Sequence, residues 1–82
     1  LEKYYLIIFI NTLDAMEAES VLKENNIPVT IMPTPTNITK SCGISIRIEI
    51  DYIEKVLKIK DRGKIKIKNI YVQKNSNYEL YV

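Results

Sequence analysis

"YYLIIFINTLDAMEAESVLKENN", residues 4–26, holds one strand, one helix and the boundary between them. Residues 4–10 are apolar without interruption. A continuous rather than alternating apolar run of strand length predicts a central strand covered on both faces. Asn11 and Thr12 stop it. Both are good helix caps, and Asp14 places a carboxylate in the first helical turn, where the dipole favours it. From 12 to 25, Leu13, Ala15, Met16, Ala18, Val21 and Leu22 recur at helical spacing among Glu17, Glu19, Lys23 and Glu24. That pattern predicts an amphipathic helix with one apolar face. Asn25 and Asn26 end it, because Asn tolerates the left-handed conformation at a helix terminus.

Downstream, residues 27–32 (IPVTIM) alternate as a strand, and Pro28 marks it as an edge strand because proline cannot donate to a ladder. Residues 44–50 (ISIRIEI) alternate strictly, so four isoleucines are expected to face the core while Ser45, Arg47 and Glu49 face away. Asp51 with Glu54 resembles a capping box opening a second helix, with Ile53, Val56, Leu57 and Lys60 on one face. Gly63 stands where a left-handed helix stop is expected. Ile65 and Ile67 alternate with lysines, then the parity slips to Ile70 and Val72, which predicts a bulge near Lys68 and Asn69. In the tail, Tyr78, Leu80 and Val82 alternate, as an added strand or one pairing with a neighbouring chain would.

The order β-α-β-β-α-β is that of the α+β, ferredoxin-like βαββαβ plan. It predicts a four-stranded antiparallel sheet in the order 4-1-3-2, with two helices on one face and room for an extra C-terminal strand. Residues 1–73 read as a single ferredoxin-like domain and 74–82 as its tail or added strand.

Composition narrows the function. The chain of 82 residues is 46% hydrophobic, enough for one packed core. Its net charge of +2 is too small to imply nucleic acid. Residues 1–50 carry four basic against six acidic residues, and residues 51–82 eight against four. A basic second half would suit an anionic partner such as a small anion, but the plainer reading is a solvated lysine face drawn from a Lys-, Ile- and Asn-rich composition. The chain has no histidine and one cysteine, which leaves no zinc set and no internal disulfide. Nothing in the sequence calls for a cofactor. The apolar run at 4–10 is far short of the roughly 20 residues of a membrane span, and no basic stretch marks it as a signal peptide. The expected location is the cytoplasm, where a free thiol stays reduced.

The remaining chemistry lies in residues 33–45, PTPTNITKSCGIS. Eight of the thirteen are Pro, Thr, Ser or Gly, and Cys42 lies near the end. In the predicted topology this loop sits at the end of the sheet where the first helix starts, so Cys42 is expected beside Asn11 and Thr12. Helix starts carry free N–H groups and partial positive charge, which favour a thiolate. Lys40 adds a cation, and the turn with Arg62, Gly63 and Lys64 lies at the same end. Thr34, Thr36, Thr39 and Ser41 offer hydroxyls, Pro33 and Pro35 stiffen the entry, and Gly43 allows close approach to the backbone. The plainer reading is a small buried hydrophobe with hydroxyls serving their own loop. No general base is at hand, so a carrier role fits better than an independent enzyme.

The stretches YYLIIFINTLDAMEAESVLKENNIPVTIM and PTPTNITKSCGISIRI are similar to a short bacterial family of selenium/sulfur carrier-like proteins, over residues 4–72. The likeness rests on residues 5–9 (YLIIF), 14–19 (DAMEAE), Pro33, Thr34 and Pro35, and Ser41, Cys42 and Gly43, in that order. The resemblance implies that Cys42 holds a persulfide or selenopersulfide and passes the chalcogen between a sulfur or selenium donor and an acceptor protein. The tail beyond residue 73 departs from the short form of that family. Two readings therefore stand. One is a thiol carrier on Cys42, with Asn11, Thr12, Thr34, Pro35, Lys40, Ser41 and Gly43 around it; sulfenic acid chemistry on the same thiol is its redox-sensing variant. The other is a non-catalytic module that binds a small anion or partner protein while Cys42 only packs. Neither involves nucleic acid or a membrane, and the exposed edge and tail suit a homodimer.

Overall fold

A computed structural model describes residues 2–39 and 42–82. Its elements are β1 (Glu2–Ile8), α1 (Thr12–Glu24), β2 (Thr30–Pro33), β3 (Ile44–Ile48), a 3-10 turn (Ile50–Tyr52), α2 (Ile53–Asp61), β4 (Asn69–Lys74) and β5 (Asn77–Leu80). The strands form one five-stranded sheet in the order β2-β3-β1-β4-β5, and every neighbouring pair is antiparallel. The tail thus joins its own sheet as a fifth strand. Asn75 turns the hairpin with φ of 53°, in the left-handed region that Asn tolerates.

β1 is central, and Leu6, Ile7, Ile8 and Phe9 are all buried, as the continuous apolar run predicts. The strand ends at Ile8, however, and Ile10, past its end, is 61% exposed against that expectation. Tyr5, Ile7 and Phe9 share one core with Ile46, Ile48, Ile70, Val72, Ala15, Ala18 and Leu22 of α1, and Ile53, Val56 and Ile59 of α2. Both helices therefore bury their apolar residues against the same face of the sheet. Asn11 caps α1, its Oδ1 accepting the Asp14 N–H at 2.8 Å. The α1 stop is shared: Asn25 is the C-cap and Asn26 takes the positive φ of 61°. Gly63 ends α2 at φ +73°, with its N–H on the Lys60 carbonyl at 2.9 Å.

Several expectations need correction. Leu13 and Met16 are 65% and 57% exposed rather than core. The contact stripe of α1 is Ala15, Ala18 and Leu22, and at about 100° per residue Leu13 and Met16 lie well off it. Pro28 precedes β2 instead of lying in it; Pro33 is its last residue. The capping box is not formed. A 3-10 turn occupies residues 50–52, and α2 starts at Ile53 with no side-chain cap. Ile59, not Lys60, completes the buried stripe of α2. The parity slip before Ile70 is a change of structure: β4 begins only at Asn69, after an irregular lead-in whose Lys68 N–H reaches the Ile8 carbonyl at 2.8 Å. Ser45 faces away from the helices as expected, yet it is fully buried.

Candidate functional site around Cys42

The site is the connection between β2 and β3. The ladder of those strands ends with Pro33 opposite Ile44. It is extended one step by the Thr34 N–H, which donates to the Gly43 carbonyl at 3.1 Å. Beyond Thr34 the chain makes a tight helical turn, in which the Pro35 carbonyl accepts from the N–H groups of Ile38 at 3.0 Å and Thr39 at 3.3 Å. Pro33 thus ends β2 and Pro35 opens the turn, positions that suit a fixed φ and need no backbone N–H.

Side chains anchor this loop on both faces of the sheet. Residues alternate along β3, so Cys42 shares the parity of Ile44, Ile46 and Ile48, and Gly43 that of Ser45. On the face away from the helices, the hydroxyls of Thr34 and Ser45 hydrogen-bond at 2.5 Å. This bond satisfies a serine that has no access to water, and burying it unpaired would cost about 1–3 kcal/mol. On the helix side, Cys42 is only 3% exposed and belongs to the main core cluster. Its Sγ donates to the Ile44 carbonyl at 3.2 Å. Gly43 is exposed, and a Cβ placed on it would meet nothing within 4 Å. Neither crowding nor a positive φ calls for glycine there, so the open backbone beside the thiol is not a requirement of the fold.

Asn11 is occupied as the α1 cap, and Thr12 is exposed at the first position of that helix. The end of β1 runs beside the start of β3, Ile7 opposite Ile46. Lys40 and Ser41 lie outside the described residues. A hollow of about 160 Å³ opens between α1 and the segment leading to β4, lined by Asp14, Glu17, Gly63, Lys64, Ile65 and Lys66. The turn after α2 does reach the first turns of α1. The hollow carries two carboxylates with two ammonium groups, however, and Cys42 is not in its wall. Among the described residues no group of His, Cys, Asp and Glu is placed to hold a metal ion. Likewise, no helix is long and apolar enough to cross a membrane.

The family model described as "Putative Se/S carrier protein-like" matches residues 4–72. The chain belongs to that family. No curated protein and no solved structure matches it. The match begins within β1, runs through α1, β2, the whole Cys42 loop, β3 and α2, and ends within β4. β5 lies beyond the matched residues. Sequence reasoning missed Ser45, which looked like an ordinary outward residue. The only signal available was its register, one step from the loop that returns over it.

Proposed function

We propose that Cys42 carries sulfur or selenium as a persulfide or selenopersulfide. The observation behind this reading is the family match, which runs through the stretch holding the chain's one cysteine. In loading, the Cys42 thiolate attacks the terminal chalcogen of a donor persulfide. A new bond forms to Cys42, the donor's chalcogen bond breaks, and the donor leaves as its thiolate. In unloading, an acceptor thiolate attacks the same terminal atom and Cys42 leaves as thiolate. Each exchange conserves electrons and needs no oxidant. A reducing compartment such as the cytoplasm suits it.

Burial of Cys42 makes loop opening part of the mechanism. The bonds from Thr34 to Gly43 and Ser45 hold the closed state. In this reading Thr34, Pro35 and Gly43 form the rim that meets the donor or acceptor, Lys40 and Ser41 are assigned to binding it with them, and Asn11 and Thr12 supply the helix start. The presenting frame is ferredoxin-like, residues 1–73, with the hairpin strand added. Incubation with glutathione persulfide followed by intact-mass measurement tests the proposal. The expected result is a gain of one sulfur atom that a thiol reductant removes and Cys42→Ser abolishes. If the wild-type protein gains no sulfur while unfolded protein does, the carrier reading fails. Burial of the thiol in the core favours the second reading, a binding module in which Cys42 packs. Under that reading Cys42→Ser lowers stability and changes nothing else.

A further inference from the structure

The two edges of the sheet are treated differently. β2 is four residues long and ends at Pro33; because the Thr34 N–H faces β3, the donor that Pro33 lacks falls on the outward edge, which is interrupted there. β5 is equally short but has no proline, and Leu80 and the two residues after the strand, Tyr81 and Val82, are 63%, 44% and 49% exposed in turn. The Tyr5 ring holds Tyr81 edge-on at 4.8 Å, so this apolar end is kept extended.

The backbone of β5 specifies what can add to it. Lys74 and Asn77 flank a two-residue hairpin turn, and Tyr81 N–H donates to the Ile70 carbonyl at 2.8 Å. By antiparallel alternation Asn77, Glu79 and Tyr81 turn their backbone groups toward β4, and Tyr78 and Leu80 turn theirs outward. Val82 does not continue the series. Its N–H also bonds the Ile70 carbonyl, at 3.1 Å, and its carbonyl accepts the Ile70 N–H at 2.9 Å, so Tyr81 and Val82 together oppose Ile70 as a bulge. The free edge is therefore short, and Tyr78 and Leu80 are symmetric about Glu79.

We propose that β5 pairs with β5 of a second copy of this chain about a two-fold axis at Glu79, with Tyr78 of each copy opposite Leu80 of the other. This register joins the two sheets through four main-chain hydrogen bonds. It also creates two aromatic–aliphatic cross-strand pairs, of the kind that stabilise sheets. The two Glu79 residues meet at a non-hydrogen-bonded position. Each already has Lys74 at 3.5 Å, which offsets the like-charge contact. β5 lies at the opposite edge of the sheet from the β2–β3 connection that holds Cys42, so the pairing is tested apart from the chemistry there.

Sedimentation at rising protein concentration is expected to show a monomer–dimer equilibrium. Leu80→Asp should weaken it at least tenfold, Glu79→Gln should tighten it severalfold, and Ile31→Asp on the other edge should leave it unchanged. Cα atoms at such a position lie about 4.5 Å apart, within disulfide range. In a Cys42→Ser background, Glu79→Cys should therefore form an intermolecular disulfide on mild oxidation, and Asn77→Cys should not. A protein that stays monomeric overturns the proposal. So does cross-linking through Asn77→Cys but not Glu79→Cys, or loss of the dimer in Ile31→Asp.

Discussion

The two faces of the sheet bury the same strand by different means. On one face Tyr5, Ile7 and Phe9 meet the two helices, and nearly everything in contact is aliphatic or aromatic carbon. On the other face Leu6 and Ile8 are as inaccessible as Ile7, yet they stand outside that cluster. Their neighbours there are polar or amphipathic. Arg47 lies opposite Leu6 and holds its guanidinium 4.2 Å from the centre of the Tyr4 ring. Tyr4 packs edge-on against Tyr78 at 6.2 Å, and the two hydroxyls hydrogen-bond at 2.5 Å. Thr34 and Ser45 complete this face above the loop. The helix face thus derives stability from burial of carbon, whereas the opposite face combines burial with a few paired polar groups. The first should tolerate lost volume poorly, and the second should be sensitive to lost partners and to pH.

The largest effect is expected from Phe9→Ala. Phe9 is fully buried on the helix face, and such truncations cost about 3–5 kcal/mol through lost transfer energy and the cavity left behind. Urea unfolding measures it. A loss below about 1 kcal/mol would mean that the helices do not close over Phe9 as described, and the contrast between the faces would collapse.

The helix face was the more legible of the two. The run at 4–10, the Asn11 cap, the alternation in β3 and the Gly63 stop are local patterns whose physics does not depend on distant contacts. What failed depended on packing. Leu13 and Met16 are apolar and helical in spacing, but the small side chains of Ala15 and Ala18 let α1 lie on the sheet along a narrow stripe that excludes them. Asp51 and Glu54 had capping spacing, but the chain leaves β3 through a 3-10 turn before the helix can begin. At the candidate site, the polar loop suggested a reactive thiol beside the plainer reading of a buried one. Strand parity, two residues before Ile44, already pointed Cys42 toward the helices, and burial follows from that parity. The Thr34–Ser45 bond was not legible, because it joins residues eleven apart through a loop path that composition does not specify.

A smaller effect, with a separate readout, is expected from Ser45→Ala. The substitution removes the partner of the Thr34 hydroxyl with little change in volume, so the expected cost is about 1 kcal/mol. Because Thr34 also holds the loop at Gly43, alkylation of Cys42 in the folded protein should accelerate several-fold, while Phe9→Ala at matched residual stability should accelerate it only through global unfolding. Equal labelling rates in wild type and Ser45→Ala would show that the loop is not held from the opposite face.

The smallest effect is Tyr78→Phe at neutral pH, about 0.5 kcal/mol for one partly exposed hydrogen bond. Its value lies in its pH dependence. Burial, followed by the hydrogen bond and the charge interaction with Tyr4, pushes the Tyr78 hydroxyl up from 10.0 to about 12, with Arg47 pulling weakly the other way. The folded protein therefore holds this proton where the unfolded chain releases it. By linkage the Tyr78 contribution is fully present below pH 10 and is lost as pH rises through about 12. Tyrosinate absorbance of wild type minus Tyr78→Phe isolates the group, and its midpoint should fall near the upper end of that window. A midpoint at the ordinary tyrosine value would mean that the Tyr4–Tyr78 contact is open in solution. The polar face would then hold β5 by its main chain alone. The difference between the faces would be one of packing density, with no contribution from specific polar pairs.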